Sequence, residues 1–235
     1  MAVQRKAGRK TIISIAIILV LIPLVLVLGV KLGDRNYAVT STIVVLLALA
    51  MFFLAFERRR VQARELVVVA SMAAIAVVSR IIFAPIPQVK PILAVIIVTG
   101  AALGAQVGFM SGAVAMLVSN FFFTQGPWTP WQMLCLGLIG FLAGLLYRLP
   151  MMQNRVVLCV FGFLSGFLYG FIADIWTILS MSEAITVSLI LGVYAQAFYF
   201  NLTLAISTAV FLLLVGKPMI GKLERIKVKY GILDL

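Results

Sequence analysis

The chain has 235 residues, of which 64% are hydrophobic and 11% are charged, and its 19 Lys and Arg against 7 Asp and Glu give a formal net charge of +12. This composition excludes an ordinary soluble domain and predicts a polytopic membrane protein. The chain has no His, and its two cysteines, Cys135 and Cys159, lie in separate apolar segments. Neither a metal site nor a disulfide framework is therefore indicated.

Apolar runs follow one another along the whole chain, most of them close to the roughly 20 residues that span a bilayer. We predict membrane helices at 11–30, 39–56, 65–84, 92–104, 107–123, 131–149, 156–177 and 187–215. The run at 92–104 is short. The first run follows a basic start and has no clear small-residue cleavage site, which predicts an anchor helix rather than a signal peptide.

The basic residues are distributed unevenly between the loops. If the N-terminus is cytoplasmic and the helices alternate, only Lys31, Arg35 and Lys90 fall in outside segments, and Arg80 falls within a helix. All other Lys and Arg residues then lie in cytoplasmic segments. The positive-inside rule predicts that both termini are cytoplasmic, and this topology accounts for the positive charge without nucleic-acid binding.

A charge run between Glu57 and Glu65 divides the chain. We predict a two-helix N-terminal membrane extension with a basic cytoplasmic loop at 1–64, a six-helix substrate-binding membrane domain at 65–216 and a basic cytoplasmic tail at 217–235. The first two helices carry few polar side chains, so we expect them to face lipid.

Small residues recur at intervals of four in the six-helix block. The glycines in this pattern are Gly100, Gly104, Gly108, Gly112, Gly140, Gly144, Gly162, Gly166 and Gly170. This spacing predicts close helix packing, and Gly104 is also a candidate for a tight turn between two helices. Ala70 and Ala74 form another small surface, which could equally pack inside the bundle.

Three loops share the predicted outer face, at 85–91, 124–130 and 178–186. Proline stiffens the first two, and polar side chains at membrane depth indicate function by default. Together they predict an outward-facing pocket for a ring-bearing, largely uncharged solute. Its candidate binding residues are Arg80, Gln88, Lys90, Asn120, Gln125, Trp128, Trp131, Asp174, Trp176, Tyr194 and Asn201.

Two alternatives for these residues stay open. Trp128 and Trp131 are also the residue type of an interfacial aromatic belt, and Arg80 could form an ion pair with Asp174. Enzymatic chemistry has little support, because the chain has no GxxxxGK[ST] motif and no His for a Ser–His pair. We expect no catalytic site, no metal and no cofactor.

The six-helix block resembles the substrate-binding S component of energy-coupling factor (ECF) vitamin transporters. The similarity covers about 65–216 and is carried by the Ala70-x-x-x-Ala74 face, by the glycine-rich segment from Thr99 to Phe109 and by the outer loop before the sixth helix. The two additional N-terminal helices depart from the six-helix pattern of that family and leave the role of 1–64 open.

The resemblance implies an S component in a prokaryotic plasma membrane that binds a vitamin from outside. It would dock through Ala70 and Ala74 onto a transmembrane coupling subunit, and two cytoplasmic ATPase subunits would hydrolyse the ATP. The segment 120–132 is similar to S components assigned to cobalamin or related corrinoids, so cobalamin is the expected ligand, followed by riboflavin or another heterocyclic vitamin.

A transporter of another class is the alternative. A self-sufficient proton-coupled secondary transporter of a small organic solute would use Asp174 or Glu183 as its proton-carrying acid. A third possibility is a structural membrane protein without a ligand, in which Trp128, Trp131 and Asp174 can be replaced without functional loss.

Overall fold

The computed structural model describes residues 12–31, 39–44, 46–47, 50, 63–181 and 186–231. Helices account for nearly all of these residues, and no strand occurs in the described ranges. The helices are α1 (Ile22–Lys31), α2 (Ala63–Ile82), α3 (Ile92–Leu103), α4 (Ala105–Phe123), α5 (Thr129–Leu146), α6 (Arg155–Met181), α7 (Val187–Phe211) and α8 (Lys217–Tyr230). A π-helical turn, Ile17–Leu21, precedes α1, a second one, Leu212–Gly216, joins α7 to α8, and a 3-10 helix, Pro150–Gln153, precedes α6.

The all-helical membrane fold predicted from the sequence is confirmed. Each helix predicted between 65 and 215 has a counterpart among α2 to α7, whereas much of the helix predicted at 39–56 lies outside the described residues. In the described part of the chain, five helical segments are long and apolar enough to cross a membrane: Ile12–Gly29, Ala105–Phe123, Thr129–Leu146, Arg155–Met181 and Val187–Tyr230. Two shorter apolar helices, Leu66–Ile82 and Ile92–Leu103, accompany them.

The centre of the bundle is formed by α3, α4 and α5, and α4 with α5 is the most extensive helix pair. Glycine lets these backbones approach closely: a Cβ added at Gly112 would lie 2.6 Å from the carbonyl oxygen of Leu136, and one at Gly108 would overlap Gly140. The α6–α7 pair is built in the same way, with Gly166 against Ala205. The predicted packing role of the glycine repeat is thus confirmed.

Gly104 alone separates α3 from α4, which confirms the tight turn predicted there. Its φ of 105° and ψ of 165° fall in a region that is essentially restricted to glycine, because a Cβ would clash with the neighbouring peptide groups. The chain reverses direction at this residue, so that α3 and α4 both place their other ends at the opposite side of the bundle.

The N-terminal segment packs on the bundle along one stripe. Ser14, Ile18, Ile22 and Leu26 recur every four residues and are all buried, and α1 contacts α5. The Nε2 of Gln106 donates a hydrogen bond to Ser14 Oγ at 3.5 Å. The expectation that this helix faces lipid is therefore wrong for this stripe, although the remainder of its surface is largely exposed.

The segment predicted as a basic tail continues α7 as a helix. The stretch from Lys217 to Tyr230 forms α8, which packs against α3 and carries Lys227 and Lys229 in its last turn. Cations at that end of a helix are favoured by the partial negative charge of its free carbonyls.

Candidate functional site

A cavity of ≈ 260 Å³ lies at the end of the bundle where loop 83–91 joins α2 to α3 and loop 124–128 joins α4 to α5. We call this the pocket end. Each of the six helices α2 to α7 contributes at least one side chain to its walls. The polar lining residues are Arg80, Gln88, Lys90, Gln132, Tyr169, Asp174 and Asn201. The apolar ones include Ile92, Leu93, Met116, Phe200 and Leu204.

Arg80 is the most deeply buried cation of the site, with 7% of its surface exposed. It lies in the last turn of α2 and reaches across to α4. There its Nη1 donates hydrogen bonds to Ser119 Oγ and, at 2.8 Å, to Asn120 Oδ1, and the guanidinium lies 4.4 Å from the centroid of the Phe123 ring. Its Nε is buried and has no hydrogen-bond partner in the described part of the chain.

Arg80 and Asp174 do not form the ion pair that the sequence left open. Both line the cavity, but the carboxylate of Asp174 on α6 instead accepts a hydrogen bond from Asn201 Nδ2 on α7, at 3.2 Å. The cation and the anion therefore have separate partners, and both remain part of the cavity wall.

Asn120 organises the wall behind the cavity. It is 1% exposed, and its Nδ2 donates to Thr129 Oγ1 at 3.1 Å and to Gln132 Oε1 at 2.8 Å. The same Thr129 hydroxyl accepts a hydrogen bond from the Gly126 backbone N–H at 3.2 Å. This network links α4, loop 124–128 and the first turn of α5, so it fixes the amide of Gln132 at the cavity surface.

The tryptophans of the proline-rich segment, Trp128 and Trp131, do not line the cavity. Trp128 packs edge-on against Trp176, with ring centroids 5.6 Å apart, and Trp131 is 5% exposed within the apolar core. Gln125 donates from Nε2 to the Leu117 carbonyl at 2.8 Å. These side chains connect loop 124–128 to the bundle and are absent from the cavity lining.

Tyr194 is likewise in contact with another residue of the protein, Phe171. Its hydroxyl donates to the Phe171 carbonyl at 3.2 Å, and its ring stacks on that of Phe171 at 5.2 Å.

Five of the candidate residues therefore line one cavity: Arg80, Gln88, Lys90, Asp174 and Asn201. The others surround it or lie apart from it: Asn120, Gln125, Trp128, Trp131, Trp176 and Tyr194. For both groups, contact with a ligand stays a prediction.

Sequence reasoning did not select several residues of the lining, among them Tyr169 and Phe200. Helical periodicity contains the signal for both. On α6 the lining positions are 169, 170, 173 and 174, in which Tyr169 lies one turn before Ala173, the neighbour of Asp174; on α7 Phe200 adjoins Asn201 in the set 197, 200, 201 and 204. Gln132 lies in the tryptophan-rich segment but was not chosen, because only the Asn120 hydrogen bond shows which way its amide points.

Both loops at the pocket end contain a residue other than glycine with a positive φ. Gln88 has φ 58° and Thr124 has φ 79°. Such conformations cost about 1–3 kcal/mol each and tend to occur at binding sites. Gln88 itself lines the cavity, so the strained position and the cavity coincide.

Lys90 is half-buried near Arg80, in loop 83–91 two residues before the start of α3. Its burial, and secondarily the positive charge of Arg80, lowers the pKa of its ammonium group to about 8. Desolvation and a nearby like charge both disfavour the protonated form of a lysine.

Comparison with known proteins identifies one family that matches the chain. A family model described as ECF-type riboflavin transporter, S component, matches residues 60–223. That range contains α2 to α7 and every residue that lines the cavity. No curated protein and no solved structure matches the chain.

Proposed function

Because the chain belongs to the family of ECF-type riboflavin transporter S components, we propose that it captures a flavin in the cavity at the pocket end and passes it to an energy-coupling complex. S components are vitamin-binding transporter subunits in the membrane and are not enzymes. The observation that carries the proposal is the coincidence of the matched range with the cavity: all of the lining residues lie within 60–223.

The chemistry of the lining suits a flavin. Apolar and aromatic side chains such as Leu93, Tyr169 and Phe200 can cover a flat ring system, and Gln88, Gln132 and Asn201 can exchange hydrogen bonds with its carbonyls, ring nitrogens or hydroxyl side chain. Sites for small molecules combine apolar walls with a few polar groups in this way. The cavity of ≈ 260 Å³ is slightly smaller than the usual range of about 300–1,000 Å³.

Cobalamin, the ligand expected from segment 120–132, is not confirmed. The family description names riboflavin, and the complete cobalamin molecule is much larger than riboflavin. The side chains that suggested a corrinoid, Trp128 and Trp131, are packed against Trp176 and in the core. We therefore favour a flavin, with cobalamin as the comparison ligand in binding experiments.

The proposed orientation puts the pocket end outside the cell, as the distribution of basic residues predicts. Ala70 then lies in the cytoplasmic half of α2 and Ala74 lies near its middle. Both are exposed, together with Val67 and Val78 of the same helix. An exposed surface of small residues allows another helix to approach closely, so this face is the proposed contact with the transmembrane coupling subunit, which two ATPases drive.

Replacing both Ala70 and Ala74 with Trp tests this contact. The added bulk is expected to block close helix approach and to abolish flavin uptake in cells that also produce the coupling subunit and both ATPases. Binding by the purified chain should persist, because neither alanine lines the cavity. Ala195→Trp, at an exposed position of α7, is the matched control; loss of binding in the double variant would contradict the assignment.

The proton-coupled transporter remains the second candidate, because Asp174 is a half-buried carboxylate in the cavity wall. The other acid considered, Glu183, lies outside the described residues. Uptake measured with this chain as the sole transporter component separates the two mechanisms. The ECF proposal predicts no uptake without the partner subunits, whereas uptake driven by a proton gradient and lost in Asp174→Asn would establish the alternative.

A further inference from the structure

The wall of the cavity contains more positively than negatively charged side chains. Arg80 and Lys90 contribute two cations, and Asp174 contributes the carboxylate. The two cations are close enough to act on each other, since the charge of Arg80 adds to desolvation in lowering the pKa of Lys90. Positive charge is therefore concentrated where loop 83–91 meets the end of α2.

Neither cation is neutralised by a described residue. The hydrogen bonds of Arg80 go to the neutral side chains of Ser119 and Asn120 and to the sulfur of Met116, and its buried Nε has no partner among the described residues. Lys90 makes no hydrogen bond or ion pair with any residue that the structure describes. A buried cation without a counter-charge has lost hydration that only an anion would replace well.

Asp174 does not supply this counter-charge. Its carboxylate accepts a hydrogen bond from Asn201 and forms an ion pair with neither Arg80 nor Lys90. An ionised carboxylate has several lone-pair directions, so Asp174 retains the capacity to accept a hydrogen bond from a hydroxyl group. One wall thus suits a phosphate and another suits a polyhydroxylated chain.

We propose that the cavity selects a phosphorylated flavin, with the phosphate group between Arg80 and Lys90 and the hydroxyl groups of the flavin side chain donating to Asp174. Arginine and lysine hydrogen bonds to phosphate are charge-assisted and are among the strongest in proteins. This inference rests on the proposed function and narrows the flavin to one that carries a phosphate.

The test is a pair of titrations on the purified full-length chain, followed by quenching of flavin fluorescence. Riboflavin and flavin mononucleotide are the ligands, because they differ only in the phosphate. The mononucleotide is expected to bind about tenfold more tightly or better, the effect of a charge-assisted hydrogen bond. Lys90→Gln should reduce that ratio by about tenfold, and Lys90→Arg should largely keep it. Lys222→Gln, at an exposed position of α8, should leave it unchanged.

Three outcomes would overturn the inference. Riboflavin that binds as tightly as the mononucleotide, or a ratio that survives Lys90→Gln, would remove the phosphate site while leaving the proposed flavin function intact. A folded chain that binds neither flavin would overturn both proposals together. Thermal unfolding of each variant, without ligand, verifies that the chains compared are folded.

Discussion

For Arg80, the sequence predicts a functional role but does not identify the residues that the side chain contacts. An arginine inside an apolar segment is a functional candidate from the sequence alone, and its place in the cavity wall agrees with that expectation. Its partners could not be derived, because spacing along a chain does not say which helices are neighbours. The sequence suggested Asp174 as a partner, whereas the guanidinium bonds to Ser119 and Asn120 on α4.

The charge of Lys90 leads to a prediction about how ligand affinity depends on pH. Its lowered pKa, about 8, means that the ammonium group loses its proton as the pH rises through that value. Since a phosphate favours the protonated lysine, the affinity for flavin mononucleotide relative to riboflavin should fall between about pH 7 and 9. Fluorescence titrations across this interval measure the ratio directly.

The matched control for this pH dependence is Lys90→Gln. Arg80, Asp174 and Tyr169 are the other titratable groups in the cavity wall, and all of them remain in that variant. A ratio that is independent of pH in the variant assigns the change to Lys90. The assignment would be contradicted if the variant retained the full pH dependence of the original chain.

At the scale of helices, the periodic small residues were the most informative part of the sequence. Gly108 and Gly140 do allow α4 and α5 to touch through their backbones, because a four-residue repeat places glycines along one helix face. The lining of α7 was harder to predict. Ala197, Phe200 and Leu204 share a face with Asn201, but most residues of this helix are apolar on every side, so Asn201 is the one polar side chain among these four that marks the face lining the cavity.

Gly104 provides a prediction about the connection between α3 and α4. Apart from Gly104 and its two chain neighbours, no atom of the described residues lies within 4 Å of an added Cβ, so Gly104→Ala tests the backbone conformation alone. It should lower the free energy of unfolding by about 1–3 kcal/mol, because its φ and ψ are restricted to glycine. Thermal unfolding in detergent is the measurement.

Gly192→Ala is the control for that substitution. Its added Cβ also has open space, but Gly192 lies within α7, where alanine is better than glycine by about 0.5–1 kcal/mol. The two changes should therefore move the unfolding temperature in opposite directions. Equal stability of the Gly104→Ala variant and the original chain would show that this turn is not constrained.

For the whole molecule, composition and charge distribution were sufficient to predict an all-helical membrane protein. The docking of the N-terminal helix was not predictable, because its inward stripe of Ile18, Ile22 and Leu26 is as apolar as its outward surface. The hydrogen bond between Ser14 and Gln106 distinguishes the two sides, and it requires the three-dimensional arrangement. An apolar helix in a membrane carries little amphipathic signal.

Orientation is testable with single cysteines placed at the two ends of the bundle. In a background with Cys135→Ala and Cys159→Ala, Pro87→Cys lies in an exposed loop at the pocket end and Asn154→Cys in an exposed position before α6. A membrane-impermeant maleimide added to intact cells should label only the first. Labelling of only the second cysteine would contradict the proposed topology, because the cavity would then lie on the cytoplasmic side.

The central claim is that the chain by itself binds a flavin in the cavity among α2 to α7. Its most direct test is the thermal shift of the purified chain with flavin mononucleotide or riboflavin, because a ligand at about 100 times its Kd adds about 2.7 kcal/mol to the free energy of unfolding. Ala197→Phe fills the cavity from α7, whereas Ala195→Phe changes an exposed position two residues away.

We predict that a flavin stabilises the original chain and the Ala195→Phe variant, and that Ala197→Phe, although folded, loses the shift. Stabilisation by cobalamin instead of a flavin would contradict the proposal that the ligand is a flavin, but it would still agree with the cavity as the binding site. A flavin shift that persists in Ala197→Phe, or a folded original chain that no flavin stabilises, would contradict the claim itself.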